Sequence, residues 1–182
     1  SLRKTGSLAD KQLATSQRML STLFSNLPGM AYRCQNDQNW TMTFVSDYCK
    51  DLTGYKPEEV RDNARIAYGQ VIHPEDRQRV WEEVQAGVGQ RQPYQLTYRI
   101  HTAEGAERWV WERGQGVFSD DGELEALEGL VLDISERVQA EEMLRLSEAR
   151  YRAIVEENSE LISRFWPDGS LTYVNETYCH YF

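Results

Sequence analysis

The alternation of apolar and polar residues predicts five short strands with helices between the second and third. The strands are "MAYRCQ", "WTMTFVS", "YQLTYRIH", "RWVWERGQGVF" and "EALEGLVLDI". The intervening segments "SDYCKDLTG", "KPEEV" and "HPEDRQRVWEEVQAG" carry proline near helix starts and glycine at helix ends. Because the helices all fall between two strands of a hairpin-connected set, we expect an α+β fold: a five-stranded antiparallel sheet covered on one face by short helices.

The chain also contains an internal repeat. "LATSQRMLSTLF" aligns with "LRLSEARYRAIV" at an offset of 131 residues, and "MTFVSDYCKDL" aligns with "LTYVNETYCHY" at an offset of 129, because the first turn is two residues longer. Each unit therefore opens with a helix and continues into a hairpin. The predicted organisation is an N-terminal linker helix (1–27), one complete domain (28–135), a second linker helix (136–158) and the truncated start of a second domain (159–182).

The last strand of the complete unit runs into the second linker helix without an intervening Gly or Pro. Asp133 and Ser135 can each accept an N–H of the helix start, and "DISE" fits a capping box with Glu136 three residues after Asp133. A capped junction is rigid, so it transmits a movement of the last strand to the linker helix. The sequence leaves three candidate partners open for the Asp133 carboxylate, namely Arg99, Arg108 and Arg113.

Both linker helices carry an apolar stripe with near-heptad spacing. The stripe residues are Leu13, Leu20 and Leu23 in the first helix and Leu144, Tyr151 and Ile154 in the second. Two interpretations remain: each helix packs only on its own domain, or the helices pair in a parallel homodimer. Because the stripe occurs in both linkers, we favour the homodimer.

Composition limits the function classes. The 182 residues include 29 acidic and 20 basic side chains, a net charge of −9, which argues against a nucleic-acid partner. No apolar run approaches the roughly 18 residues that span a bilayer, and the first residues do not form a secretion signal. Three cysteines without CxxC spacing fit a reducing compartment, so we expect a cytoplasmic fragment, whose parent protein could be anchored in a membrane elsewhere.

The residue inventory predicts a protein without catalytic activity and without a metal site. No nucleophile with a base, no phosphate-binding loop and no separated carboxylate pair is recognisable. His73 in "HPED" is interpreted as a structural residue at a helix start. His101 and His180 are expected to join no ligand cluster.

Ten aromatic residues of the complete unit could line a pocket or simply form the core. Trp109 and Trp111 share one face of their strand and Val110 the other, so one set must lie outside the core. We expect the tryptophan face to be covered by the N-terminal helix or by a second subunit. The candidate pocket residues are Phe44, Tyr48, Tyr68, Trp81, Tyr98 and Trp111.

The segments "WTMTFVSDYCKDLTGY", "VIHPEDRQRVWEEV", "YRIHTAEGAERWVWERGQGVF" and "GLVLDISERVQAEE", in this order, resemble the PAS domain with its C-terminal PAC segment. The resemblance covers about Phe24 to Arg137, and Tyr151 onwards resembles the opening of a second PAS domain. It implies a module of a bacterial signalling protein. It also implies that Asp133, Ile134 and Ser135 tie the last strand to the outgoing signalling helix.

The resemblance also bears on cofactors, which stay unknown. Haem-binding relatives carry a histidine deeper in the helix after HPED, and this chain has none there. Flavin photosensors need a cysteine between Asn and Arg, and here Ala64 lies between Asn63 and Arg65, so haem and cysteinyl-flavin photochemistry are disfavoured. The expected function is sensing of a small ligand or redox state, transmitted through the C-terminal helix to a histidine kinase or a diguanylate cyclase/phosphodiesterase. The alternative is a ligand-free module that dimerises and spaces its neighbours.

Overall fold

The computed structural model describes residues 28–156 and 162–181. Five strands form one antiparallel sheet in the spatial order β2-β1-β5-β4-β3. The strands are β1 (Met30–Cys34), β2 (Met42–Val45), β3 (Tyr94–His101), β4 (Glu107–Phe118) and β5 (Leu124–Asp133). This order places β1 and β5, from opposite ends of the unit, side by side at the centre of the sheet.

Four helices connect β2 to β3. They are α1 (Tyr48–Thr53), α2 (Pro57–Val60), α3 (Tyr68–Val71) and α4 (Arg77–Gly89). As the sequence indicates, α1 is ended by Gly54, whose φ of 81° is a left-handed conformation that suits a glycine, and α2 begins at Pro57. Val80 and Val84 of α4 face the core.

The core lies between the helices and one face of the sheet. Along β4, Val110 is fully buried whereas Trp109 and Trp111 on the opposite face are half-buried, as the alternation predicts. Tyr98 and Leu127 contribute large fully buried side chains from the neighbouring strands. The predicted α+β architecture with a five-stranded antiparallel sheet is confirmed.

The chain divides into two compact units after Ser135. The second unit contains all of α5 (Ser135–Glu156) except its first residue, a two-stranded hairpin of β6 (Ser163–Phe165) and β7 (Leu171–Val174), and α6 (Glu176–Tyr181). Leu13, Leu20 and Leu23 lie outside the described residues. Among the residues that are described, no helix combines the length and apolar character needed to cross a membrane.

Candidate functional site

The core of the first unit contains a buried carboxylate. Glu112 lies on β4 two residues after Val110 and points to the same side of the sheet, where it is only 7% exposed. Two tyrosine hydroxyls donate to it: Tyr32 of β1 to Oε1, and Tyr98 of β3 to Oε2 at 2.6 Å. Each carboxylate oxygen therefore has one phenol donor from a different strand.

Two further tyrosines extend this network. The Tyr94 hydroxyl lies 2.8 Å from that of Tyr32, and the Tyr68 hydroxyl lies 3.0 Å from that of Tyr98. Since Tyr32 and Tyr98 use their single protons on Glu112, they accept from Tyr94 and Tyr68 respectively. All four hydroxyls thus point their protons, directly or through one neighbour, towards one carboxylate.

Glycine creates the space for these hydroxyls. Gly114 is the β4 residue paired with Tyr94, and a Cβ on it would lie 2.4 Å from the Tyr94 hydroxyl oxygen and 2.6 Å from that of Tyr32. Gly129 on β5 likewise would place a Cβ 2.7 Å from the Tyr32 hydroxyl. Any side chain at these two positions would displace the tyrosines from Glu112.

Burial sets the direction of the pKa shifts in this network. Burial raises the pKa of the Glu112 carboxyl, while the hydrogen bonds from Tyr32 and Tyr98 act in the opposite direction. Burial, together with the neighbouring carboxylate, also raises the pKa of Tyr32 and Tyr98, so both remain protonated donors. Within the described part of the chain, no cation acts on the Glu112 carboxyl. The charge of the carboxylate is therefore either stabilised by the phenol donors or removed by a proton.

A small cavity adjoins this network. Its free volume, about 10 Å³ for the centres of water-sized molecules, is enough for about one water molecule. The lining residues are Tyr32, Cys34, Trp40, Met42, Tyr68, Ile72, Val80, Val84, Tyr94 and Glu112. Burial, reinforced by Glu112, raises the pKa of the Cys34 thiol, so this cysteine is not a reactive thiolate.

The six predicted pocket residues do not lie together in the structure. Tyr68 lines the cavity and Tyr98 hydrogen-bonds to it. Tyr48 and Trp81 pack at the edge of the core, half-buried. The remaining two are Phe44, which is 38% exposed on β2, and Trp111, which lines a surface groove on the outer face of the sheet.

Glu112 is not among the candidate residues predicted from the sequence, although the sequence contains a signal for it. Val110 lies on the strand face opposite the two tryptophans, and strand alternation puts residue 112 on the same face as Val110. A carboxylate at a predicted core position is rare unless it is hydrogen-bonded. That combination would have identified Glu112 from the pattern alone.

Hydrogen bonds connect the junction of β5 with α5 to β4 and, through Arg108, to the end of α1. Among the three arginines left open by the sequence, Arg108 contacts the Asp133 carboxylate, with Nη1 3.2 Å from Oδ2. The same Nη1 donates to the carbonyl oxygens of Asp51 and Leu52 at the end of α1, at 2.6 and 3.2 Å. Arg108 therefore links the end of β5 to the helical layer.

The start of α5 is fixed to β4 as well. The Asp133 carboxylate accepts the N–H of Ser135 at 2.9 Å, which makes Asp133 a local cap. The Ser135 hydroxyl accepts the Trp109 N–H at 3.0 Å, and the Ile134 N–H donates to the Trp109 carbonyl at 2.9 Å. The predicted linker residues Leu144, Tyr151 and Ile154 follow on α5 and are all exposed.

The fold defines an α+β module, and the comparisons with known proteins identify its class. The family profile described as PAS fold matches residues 42–131. The crystal structure of a sensory box histidine kinase/response regulator from Burkholderia thailandensis superposes with a TM-score of 0.57 at 29% identity, covering 70% of this chain and 93% of that chain. Residues 42–131 thus belong to a PAS domain, and PAS domains are generally non-catalytic sensor modules.

Two curated relatives are sensors. A methyl sulfide methyltransferase-associated sensor from Methanosarcina acetivorans is 35% identical over 109 residues, which is 59% of this chain and 11% of that protein. The two-component sensor PprA from Pseudomonas aeruginosa is 24% identical over 174 residues, which is 95% of this chain and 18% of that protein. The chain thus spans less than a fifth of the length of either relative.

Proposed function

We propose that this chain is the sensory part of a longer signalling protein. In this proposal a small ligand enters the core beside Glu112, and the change passes through Arg108 and Asp133 to α5. The helix then acts on an effector in the same chain, such as a histidine kinase or a diguanylate cyclase/phosphodiesterase. The sensor relatives support the role, and the matched lengths leave ample chain for an effector.

The observation that carries the proposal is the buried Glu112 carboxylate at the wall of a cavity. Burying a carboxylate without a cation costs free energy that a purely structural core avoids. Four tyrosine hydroxyls are arranged around it, and each can donate to or accept from a ligand. Perturbed ionisable groups beside a cavity are typical of binding sites.

The size of the cavity favours a second candidate function. Space for about one water molecule does not admit a ligand unless side chains move. A ligand-free domain that dimerises and spaces its neighbours needs no larger space. Redox sensing by Cys34 is not supported, because its thiol is buried and its pKa is raised.

Native mass spectrometry with an absorption spectrum of the purified protein distinguishes these two functions. A stoichiometric added mass or a visible chromophore supports the sensor, whereas bare protein mass supports the spacer. The matched variant is Glu112→Gln, which keeps the side-chain size but removes the charge. Glu128→Gln is its control, since that glutamate lies on β5 at the surface with a side chain 45% exposed. The added mass should be reduced only in Glu112→Gln.

The transmission step is tested by Asp133→Ala in the full-length protein. The variant removes both the Arg108 contact and the cap on Ser135. We expect the effector to lose its response to the signal while the core keeps its fold, as measured by output and by circular dichroism. Unchanged output at unchanged stability would remove the proposed role of this junction.

We further propose that two copies pair in parallel through their linker helices. The exposed Leu144, Tyr151 and Ile154 on α5 support this, because apolar side chains at near-heptad spacing suit a helical partner. Sedimentation velocity tests it: Leu144→Lys should shift the protein to monomer. Met143→Lys is the matched control, since Met143 is 72% exposed but lies off the stripe. A monomer before any substitution would contradict pairing.

A further inference from the structure

We infer that His73, His101 and Glu107 form a binding site for a divalent transition-metal ion of the zinc class, outside the core cavity. Their ligand atoms all lie within 4.8 Å of one another. Two imidazole nitrogens and one carboxylate oxygen are a ligand set that Zn²⁺ accepts, with water completing the coordination. From the sequence we expect His73 to be structural and His101 to join no ligand cluster, whereas the structure brings the two together.

Backbone hydrogen bonds alone hold His73, His101 and Glu107 next to one another, and their side chains are not needed for this. His101 ends β3 and Glu107 begins β4, and the two form the last pair of this hairpin. The segment before α4 runs alongside β3: Ile72 bridges to Ile100, and the His73 N–H donates to the Arg99 carbonyl at 2.9 Å. Because these bonds belong to the sheet and its neighbour, the site is positioned before any metal arrives.

To bind zinc, the side chains must bring ligand atoms that lie within 4.8 Å of one another slightly closer together. The His73 and His101 rings lie 4.7 Å apart, and His73 Nε2 is 3.7 Å from a Glu107 carboxylate oxygen. In a tetrahedral zinc site the ligand atoms lie about 3.3 Å apart. Both histidines are half-buried, and Glu107, with a side chain 45% exposed, lies at the rim. An ion can therefore enter from solvent past Glu107.

The surroundings of His73 indicate how its ring would change. Nδ1 accepts the N–H of Glu75 at 3.3 Å, which in the neutral ring leaves the proton on Nε2. Metal binding through Nε2 requires the other neutral tautomer, so the ring gives up its proton at Nε2 and takes one up from solvent at Nδ1, without net release. The Glu75 carboxylate oxygen lies 4.0 Å from Nδ1, close enough to become the acceptor that orients a metal-bound imidazole.

The proposed metal site lies next to the contact between Arg108 and Asp133. Glu107 is followed by Arg108, whose guanidinium contacts the Asp133 carboxylate at the start of the outgoing helix. A metal that links His73 to the first residue of β4 would stabilise the strand end that carries this contact. The site shares no residue with the core cavity, so it does not depend on a core ligand.

Zinc titration of protein labelled with ¹⁵N in its histidine rings tests the inference, because the chain contains only three histidines. The exposed Cys179 beside His180 is a rival site, so the titration uses a Cys179→Ser background. We expect equimolar Zn²⁺ to shift the His73 and His101 rings, move the His73 proton to Nδ1 and leave His180 unchanged. Shifts of His180 alone, or binding only at millimolar zinc, would overturn the site.

Variants distinguish the loss of a zinc ligand from the loss of the folded structure. His101→Ala and Glu107→Gln should each weaken zinc binding at least tenfold by calorimetry, while His180→Ala should leave the affinity unchanged. Glu107→Gln is the safer variant for folding because its side chain is at the surface. Equal affinity in Glu107→Gln, His101→Ala and the parent would contradict the assignment, whereas an unchanged circular dichroism spectrum with tenfold weaker binding would support it.

Discussion

Two hairpins of this chain are related by the sequence repeat, and their backbones follow the same register. In the first, Arg33 pairs with Phe44 and the register shifts after Arg33. In the second, Arg164 pairs with Tyr173 and the register shifts after Arg164. These are the residues that the repeat aligns, at offsets of 131 and 129. The repeat therefore encodes a local structure down to the position of its irregularity.

The same hairpins differ in burial. The first contributes Met30, Met42 and Val45 to the core, each at most 2% exposed. In the second, Phe165 is 56% and Leu171 49% exposed. Within the described residues the first hairpin is joined to β5 and its sheet, whereas the second forms a two-stranded sheet. Local sequence sets the hairpin, and packing partners from distant parts of the chain supply the burial. The domain boundaries predicted from the repeat remain a proposal.

The largest expected effect comes from a matched pair of core positions. Met42→Ala should lower the free energy of unfolding by about 2–5 kcal/mol, because it removes a fully buried side chain and leaves a cavity. Leu171→Ala, at the aligned position, should change it by less than about 0.5 kcal/mol. Urea unfolding followed by tryptophan fluorescence reports on both units, because Trp166 lies in the second and Trp40, Trp81, Trp109 and Trp111 lie in the first. Similar losses in both variants would contradict the difference in burial.

A smaller effect is expected where the helical layer attaches to the sheet. Asp76, before α4, accepts from the Arg99 side chain at 2.8 and 3.0 Å and from its backbone N–H at 2.8 Å. These bonds, led by those from the side chain, lower the pKa of Asp76 to about 2. The shift corresponds to about 2 kcal/mol of stabilisation of the folded state.

Asp76→Asn should remove this stabilisation. Since the folded-state pKa lies below that of the unfolded chain, the contribution is complete above pH about 4 and is lost as pH falls through about 2. The difference between parent and variant should be constant from pH 7 to 5 and narrow between pH 4 and 2, measured by urea unfolding. Glu75→Gln is the control, because Glu75 contacts the same Arg99 but has a side chain 74% exposed. If the difference in unfolding free energy between parent and variant persists at pH 2, the stabilisation does not come from the negative charge of Asp76.

Different parts of the molecule were predictable from the sequence to different degrees. The strands and α4 followed from alternation and from helix end signals, because these are local properties. The choice of Arg108 for Asp133 and of Arg99 for Asp76 did not, since both depend on strand register and on where α1 and α4 pack. The tyrosine bonds to Glu112 join three strands and required the whole sheet.

The smallest effect is expected for the pair of hydrogen bonds that closes each hairpin. The Ser46 hydroxyl accepts the Ala31 N–H at 3.1 Å, and the Ser46 N–H donates back to the Ala31 carbonyl at 2.9 Å. At the aligned positions, the Asn175 side chain accepts the Ile162 N–H at 3.0 Å, and the Asn175 N–H donates to the Ile162 carbonyl at 3.0 Å. A hydroxyl and an amide oxygen thus perform the same task.

Ser46→Ala should cost about 1 kcal/mol, because the Ala31 N–H loses its buried acceptor. Ser46→Asn places the residue of the second hairpin in the first and should restore most of this loss, since its amide oxygen can accept the same N–H. Urea unfolding in a Trp166→Phe background and amide exchange of Ala31 measure both effects. If Ser46→Asn is as destabilised as Ser46→Ala, the two closing bonds are not interchangeable, and the similarity of the hairpins is limited to their backbone register.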